Sequence, residues 1–322
     1  MSLVLAIPSK GRLQEHAAAF LADCGLALSR PSGARMYQAT IEAAPDVEVR
    51  LISAGEIARA LSAGDVHVGV TGEDVLREAD PGLARTIAVK ALGFGRAELV
   101  VAVPDSWLDV TRMSDLAEVA ALHRARTGRR LRVATKYLAQ AQAFLDAHGV
   151  ADYRLVESAG ATEGAPSAGV AEAIVDITTT GATLAANHLR PLGNGVILKS
   201  QALMAASRAA AWSPAARGAF ERVLDMIEAR ARAKTQRLLR VAPGPEGAEP
   251  MIARASELGC RLASAAEGAL LELYCPEEKA AAVCAALQNL FGGSIGVFEA
   301  DFLYERPNQA YAAFERALAA LA

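Results

Sequence analysis

Short apolar runs alternate with amphipathic segments through residues 3–205, and this alternation limits the possible folds more than any other feature of the sequence. Leu3–Ile7, Val66–Val70 and Ala173–Ile177 have the length of buried strands, and each ends in a polar or glycine-containing turn. Residues at helical spacing follow each turn. Strands joined by helices in this order are typical of α/β layers with parallel strands. We therefore predict two α/β units, with mostly helical structure over Asp105–Thr127 and a helix over Leu184–Leu189.

The C-terminal third has a different pattern. A breaker cluster, Pro243–Gly247, lies within a predicted βαββαβ order, the split βαβ pattern of small regulatory domains. A helix over Phe220–Arg240 leads into this region, and a last helix is predicted over Gln309–Leu321. We predict three domains: residues 1–104 with 190–235, residues 105–189, and residues 236–322.

Composition excludes several classes of protein. The net charge of −3 over 322 residues argues against a dedicated nucleic-acid binder. No apolar stretch has the length of a membrane span, and the N-terminus lacks the pattern of a signal peptide. Four widely spaced cysteines form no zinc or disulfide motif. We expect a cytoplasmic protein with incidental cysteines, without a nucleic-acid or membrane partner.

The segment that follows the Ala173–Ile177 run carries the strongest chemical signal. A strand ends in Asp176, and a loop rich in glycine and hydroxyls then opens a helix. Backbone N–H groups and threonine hydroxyls in such a turn favour a phosphate, while a carboxylate suits ribose hydroxyls or Mg²⁺. The alternative is an ordinary turn with threonine caps. The candidate binding residues are Asp176, Thr179, Thr180, Gly181, Ala182 and Thr183.

A second signal is the turn Pro8–Arg12, which puts two cations just past the first strand. Lys10 and Arg12 are suited to phosphate at the carboxyl edge of a sheet, or they are solvated surface charges. The weaker candidates are the cations Arg35 and Arg96, the turn residues Gly72 and Asp74, and the carboxylate of Glu163 as a metal or ribose ligand.

Taken together, these residues resemble the ATP phosphoribosyltransferase family over about residues 3–205. Five blocks occur in the family's order, and the one containing Asp176 resembles its phosphoribosyl pyrophosphate loop. The blocks are Ala6–Leu13, Gly64–Leu76, Leu92–Val101, Arg132–Tyr137 and Asp176–Asn187.

The resemblance implies two α/β domains like those of type II periplasmic binding proteins, with the active site between them. It implies attack of adenine N1 of ATP on C1′ of phosphoribosyl pyrophosphate, with Mg²⁺ as cofactor. Asp176 and the loop would hold the phosphoribosyl group, with Asp176 and Glu163 as metal ligands. Lys10, Arg12 and Arg35 would be the catalytic cations, and Gly72, Asp74 and Arg96 further substrate contacts.

The C-terminal region favours the family's long form, which carries an ACT-like domain that binds histidine as an inhibitor, and which assembles as a hexamer. For this chain we expect a homo-oligomer, either a dimer or a hexamer. The short form instead needs a regulatory subunit resembling histidyl-tRNA synthetase. The extra domain could alternatively serve assembly or docking of a partner. Two other readings are a non-catalytic small-ligand sensor on the same two-domain fold and a catalytically silent paralogue.

Overall fold

The computed structural model describes residues 2–29, 38–158, 160–242, 247–264, 270–291 and 293–320. The strands of this part of the chain form three sheets. They are β1 (Leu3–Pro8), β2 (Leu28–Ser29), β3 (Gln38–Ile41), β4 (Val47–Ile52), β5 (Val68–Gly72), β6 (Thr86–Ala91), β7 (Ala97–Pro104), β8 (Leu131–Thr135), β9 (Tyr153–Glu157), β10 (Ala173–Thr178), β11 (Leu189–Ser200), β12 (Ala202–Ser207), β13 (Gln236–Val241), β14 (Arg261–Ser264), β15 (Leu271–Pro276) and β16 (Ile295–Phe298).

Helices cover the faces of these sheets. They are α1 (Gly11–Asp23), α2 (Ala54–Ala63), α3 (Glu73–Ala79), α4 (Met113–Thr127), α5 (Leu138–Ala147), α6 (Ala182–Ala186), α7 (Pro214–Thr235), α8 (Glu249–Glu257), α9 (Ala280–Phe291) and α10 (Gln309–Ala319). In the described part of the chain, no helix combines the length and apolar character required to cross a membrane.

The first sheet has the strand order β2-β3-β4-β1-β5-β12-β6. Its central strand β1 is buried along its whole length and pairs in parallel with β4 and β5. Leu5 faces the core shared with α1 and α7, while Ala6 faces the core shared with α2. Burial on both faces explains the continuous apolar run of β1. Because β4, β1 and β5 are parallel, their carboxyl ends meet at one edge of the sheet.

The second sheet has the order β11-β7-β10-β8-β9, in which β10, β8 and β9 are parallel. Strand β7 is antiparallel to both of its neighbours. The chain crosses from the first sheet to the second between β6 and β7, and it returns between β11 and β12. The two α/β units are therefore joined by two short connections that lie close together in the structure.

The third sheet has the order β14-β15-β13-β16, and all of its pairs are antiparallel. Helices α8 and α9 cover one face, where Leu239 and Leu273 are buried. This is the βαββαβ arrangement that the sequence predicts. Its likeness to an ACT domain remains a prediction.

The last helix, α10, packs against the first sheet. Phe314 is buried there with Trp212 and Phe220, at ring-centroid distances of 4.8 and 4.9 Å. Arg217 of α7 and Glu315 of α10 form an ion pair at 2.6 Å. The predicted range 236–322 groups this helix with the third sheet, whereas its buried side chains contact the first.

Three sequence-based element predictions need correction. The segment predicted as mostly helical from Asp105 becomes helix only at Met113, because the Asp115 carboxylate caps the backbone N–H groups of Thr111 and Arg112 at 2.8 and 2.9 Å. The helix predicted to reach Arg240 ends at Thr235, where β13 takes over and buries alternate residues in the third sheet.

The third correction concerns the segment after the threonine loop. The predicted helix over Leu184–Leu189 lies instead at Ala182–Ala186, and Leu189 begins the twelve-residue strand β11. Pro191 and two glycines argue against a strand at the sequence level. Pairing with β7 overrides that local preference, with shifts of register along the pair.

Candidate functional site

The loop after β10 is organised by its own side chains. The backbone N–H of Ile177 donates to Asp176 Oδ1 at 2.8 Å, and the N–H of Gly181 donates to Thr178 Oγ1 at 2.9 Å. Gly181 has φ +75°, in the left-handed region that favours glycine, where the chain turns into α6. These bonds hold the conformation of the loop. Sequence reasoning did not single out Thr178, whose hydroxyl closes it.

The loop presents hydroxyls to solvent. Thr179, Thr180, Ala182 and Thr183 are exposed, and within the described residues the hydroxyls of Thr179 and Thr183 have no hydrogen-bond partner. Since a hydroxyl can both donate and accept, these groups can bind an oxygen-rich ligand without first losing an internal bond. The arrangement suits a phosphate or a ribose.

Asp176 lies at the base of this loop in a partly buried position. Burial raises the pKa of its carboxyl group, the Ile177 N–H and the Lys136 charge lower it, and the Glu163 charge raises it. The turn Thr162–Gly164, which carries Glu163, contacts β10, so Asp176 and Glu163 lie in the same part of the second unit. No group of three or more potential metal ligands occurs among the described residues. Two carboxylates fit Mg²⁺, which commonly takes its remaining ligands from water and substrate phosphates.

The turn after β1 presents its cations to solvent. Lys10 precedes α1 in an extended conformation, and both Lys10 and Arg12 are exposed. The N–H of Ser9 donates to the carbonyl of Ile52 at 3.0 Å, which ties this turn to the end of β4. The cations therefore stand at the carboxyl edge of the first sheet. The third predicted cation, Arg35, lies outside the described residues.

Arg96 reaches the same region from the connection between the two units. A pocket of about 420 Å³ is lined by Arg96, Thr179, Lys199 and Gln201. It combines a residue of the threonine loop with residues of both connections. Lys199 was missed from sequence because β11 was not predicted there. Its ammonium group lies 3.8 Å from Glu98 Oε1 and is largely exposed.

Asp74 is held from two sides rather than left free. Tyr137 Oη donates to Asp74 Oδ2 at 2.6 Å, and Ser200 Oγ donates to Asp74 Oδ1 at 2.8 Å. All three residues are buried. A Cβ at Gly72 would stand 2.4 Å from Asp74 Oδ1, so glycine is required beside this fixed carboxylate. Gly72 and Asp74 thus contribute to the packing and hydrogen bonding that hold the site together.

The same cluster joins the two α/β units. Glu78 of α3 accepts from the backbone N–H groups of Ala139 and Gln140 at 2.8 and 3.2 Å, which caps α5 of the second unit. Burial raises the pKa of the Tyr137 phenol, and the nearby charges of Asp74 and Asp176 raise it further. The carboxyl ends of β5 and β8 are therefore brought together, and the charge of Asp176, at the end of β10, acts on Tyr137 between them.

The structure thus brings together most of the predicted residues at facing sheet edges. Asp176, Glu163 and the threonine loop form one cluster, and Arg96 borders it. Lys10 and Arg12 lie at the carboxyl edge of the first sheet, and within the described residues no hydrogen bond joins them to the loop. Lys136, Tyr137, Thr178, Lys199 and Ser200 are added by the structure.

Comparisons with known proteins agree with this picture. The family model described as "HisG: ATP phosphoribosyltransferase" matches residues 53–229. An ATP phosphoribosyltransferase of Caulobacter vibrioides is 58% identical over 232 residues, which is 72% of each chain. One from Nitrobacter winogradskyi is 47% identical over 319 residues, which is 98% of each chain.

Among solved structures, the ATP phosphoribosyl transferase (HisG:HisZ) complex from Thermotoga maritima matches 70% of this chain and 96% of that chain. The TM-score is 0.54 at 24% sequence identity, so this match supports the fold assignment alone. The predicted α/β fold is confirmed.

Proposed function

This chain belongs to the ATP phosphoribosyltransferase family of enzymes, and we propose that it joins N1 of the adenine of ATP to C1′ of 5-phosphoribosyl 1-pyrophosphate. The reaction forms N1-(5-phosphoribosyl)-ATP and releases pyrophosphate, as the first step of histidine biosynthesis. The observation that carries the proposal is the exposed threonine loop with the Asp176 carboxylate at its base.

In this proposal the loop holds the donor substrate. The hydroxyls of Thr179, Thr180 and Thr183 and the backbone of Gly181 and Ala182 bind the 5′-phosphate. Asp176 accepts from ribose hydroxyls. Its second oxygen is available for this because, among the residues that the structure describes, its carboxylate accepts only the Ile177 N–H, at Oδ1. Holding both substrates in line removes much of the entropic cost of the reaction.

The cations act on charge that develops during the reaction. Breaking the bond from C1′ to pyrophosphate leaves negative charge on the departing oxygens and positive charge on the ribose. Lys10, Arg12 and Arg96 are exposed and have no ion pair within the described residues, so they are available to the phosphates of both substrates. Preplaced cations lower the barrier most where charge appears only in the transition state.

We also propose that Asp176 and Glu163 hold Mg²⁺ together with substrate phosphates. When bound, the ion would neutralise the pyrophosphate group. The support is the chemistry of the two carboxylates: burial raises the pKa of Asp176, the charge of Glu163 raises it further, and a cation would offset both effects.

For the third sheet we propose a regulatory role, with histidine as the inhibitor. The support is its βαββαβ order with helices on one face. Use of this domain for homo-oligomer assembly, or for docking a separate regulatory subunit, is the alternative.

The test is pyrophosphate release by the purified chain from ATP, phosphoribosyl pyrophosphate and Mg²⁺, with and without histidine. We expect activity that histidine suppresses. Activity indifferent to histidine would assign the third sheet to assembly or docking. No activity, even with a histidyl-tRNA-synthetase-like partner, together with tight binding of one small ligand, would support a sensor instead.

A substitution in the turn after β1 tests whether the activity depends on this site. Arg12→Ala should lower kcat at least tenfold with a smaller change in KM, if its charge acts mainly in the transition state. Arg85→Ala is the matched control, because Arg85 is exposed and unpaired within the described residues but lies away from the turn. A change confined to KM would mark Arg12 as a ground-state contact.

A further inference from the structure

A groove of about 740 Å³ lies at the amino ends of β8 and β9, lined mainly by Arg129, Arg130, Arg132, Arg154 and Glu172. We call it the arginine groove. The threonine loop follows the carboxyl end of β10, which runs parallel to β8. Strands of five residues separate the two ends by about 16 Å. The arginine groove is therefore distinct from the site described above.

Its positive charge is only partly neutralised. Arg132 forms an ion pair with Glu172 at 2.6 Å. Arg129, Arg130 and Arg154 are exposed, and their side chains have no ion pair or hydrogen bond within the part of the chain that the structure describes. Three free guanidinium groups thus gather at one groove of a chain whose net charge is −3.

The juxtaposition of Arg132 and Arg154 costs stability. Arg132 and Arg154 are paired in register on neighbouring parallel strands, so two like charges stand side by side. Such pairs destabilise a sheet, and the single carboxylate of Glu172 offsets only one of them. An anion bound between the guanidinium groups would relieve the repulsion.

We propose that the arginine groove binds an oligophosphate group. Guanidinium groups bind phosphate oxygens through two parallel N–H bonds, a geometry that lysine cannot provide. The groove's volume lies in the range of small-molecule sites. The negative charge of Glu172 does not prevent an anion from binding, because Arg132 already neutralises it: Nε and Nη2 lie 3.2 and 2.6 Å from Glu172 Oε1. The proposal does not depend on the reaction proposed above.

The test is calorimetric titration of the full chain with inorganic tripolyphosphate at 0.15 M salt, where weak surface attraction is screened. The double variant Arg130→Ala/Arg154→Ala should bind at least tenfold more weakly at this site than the unmodified chain. The control, Arg85→Ala/Arg316→Ala, removes the same charge from exposed, unpaired positions of the described chain away from the groove and should bind normally. Equal weakening in both double variants would show that only net charge matters and would overturn the proposal.

A loop variant separates the two sites. Thr179→Val/Thr183→Val removes two hydroxyls that we propose bind phosphate at the loop, and it should leave tripolyphosphate binding at the arginine groove unchanged. If this variant abolishes all binding while the groove variant binds normally, the anion occupies only the threonine loop, and the groove proposal fails without touching the proposed reaction. Conversely, groove binding in a chain that releases no pyrophosphate would refute the reaction alone.

A comparison of probes identifies the source of the phosphates. Similar affinity for tripolyphosphate and ADP at the groove would show that the oligophosphate is recognised by itself, whereas tighter ADP binding would add a nucleoside contact. Both results support the proposal. Binding of a single-stranded oligonucleotide, with no binding of either small probe, would overturn it in favour of a nucleic-acid surface.

Discussion

At the scale of single residues, the Asp74 carboxylate illustrates how a buried charge depends on its partners. Its two oxygens accept hydrogen bonds from Tyr137 and Ser200, which come from distant parts of the chain. When one donor is removed, the buried oxygen has no water molecule that could supply a hydrogen bond in its place. The loss of folding stability is therefore larger than the net contribution of an ordinary hydrogen bond.

We expect Tyr137→Phe to lower the free energy of unfolding by about 1–3 kcal/mol, since it removes only the hydroxyl that donates to Asp74. Urea unfolding followed by fluorescence measures the change. Tyr153→Phe is the control: it removes the hydroxyl that donates to Asp146 at an exposed site and should cost less than about 1 kcal/mol. Equal losses of unfolding free energy in the two variants would mean that the buried hydrogen bond to Asp74 contributes no more than an exposed one.

Asp176 gives a prediction with a definite sign. Its pKa in the folded chain is raised, so folding favours the protonated carboxyl. The stability associated with this group is complete below the ordinary aspartate pKa and is lost as pH rises through the folded value. Asp176→Asn avoids that loss and should stabilise the ligand-free chain at pH 7.5, on the order of 1 kcal/mol, while weakening donor binding.

Thermal unfolding from pH 7.5 toward about 4 checks this, and the advantage of the asparagine variant should shrink as pH falls. Asp115→Asn is an internal control of opposite sign. Hydrogen bonds from the Thr111 and Arg112 backbone lower the pKa of Asp115, so its loss should destabilise the chain at neutral pH. A less stable Asp176→Asn chain at pH 7.5 would contradict the assigned cost of burial.

At the scale of elements, the position of α10 is the least expected result. The helix follows the third sheet in sequence but buries Phe314 in the core of the first. Its start is capped by Asn308, whose Oδ1 accepts from the Tyr311 N–H at 3.1 Å and whose Nδ2 donates to Asp225 of α7 at 2.8 Å. The cap therefore also orients the helix against its neighbour.

We expect Phe314→Ala to cost roughly 3–5 kcal/mol, because a fully buried aromatic ring is lost and a cavity remains. Phe298→Ala on the third sheet removes a ring that is 45% exposed and should cost much less. Denaturant unfolding of both variants gives the comparison. Comparable losses would show that α10 is not an integral part of the first core.

At the scale of the whole molecule, two connections and one polar cluster hold the α/β units together. The chain crosses between β6 and β7 and between β11 and β12, and the Asp74 and Glu78 carboxylates link α3 to the start of α5. Because ligands of open α/β sheets bind beyond the carboxyl ends of strands, this cluster sets the spacing of the edges at which we propose that the substrates bind.

Glu78→Ala should loosen this junction. It removes the acceptor of the Ala139 and Gln140 N–H groups, so hydrogen exchange at these amides should accelerate roughly tenfold or more, since bonds to a charged acceptor are each worth about 1.5–3 kcal/mol. Glu118→Ala, on the exposed face of α4, is the matched control. Unchanged exchange at both amides would mean that the units are held together by other contacts.

Local patterns in the sequence determined much of this protein. The apolar run of β1 and the polar turn after it predict a buried strand with exposed cations, because a strand and its turn span only a few residues. The same holds for the loop after β10, whose placement and exposure follow from adjacent residues. The catalytic and binding roles of these residues stay predictions.

Only the tertiary structure decided the rest. Tyr137 and Ser200 meet Asp74 across 63 and 126 positions of sequence, and no local pattern marks such a meeting. Strand β11 forms despite its proline and glycines because β7 supplies its pairing. The arginine groove likewise arises because β8 and β9 lie side by side. Each depends on which surfaces the folded chain brings into contact, since pairing and burial energies act between neighbours in space rather than in sequence.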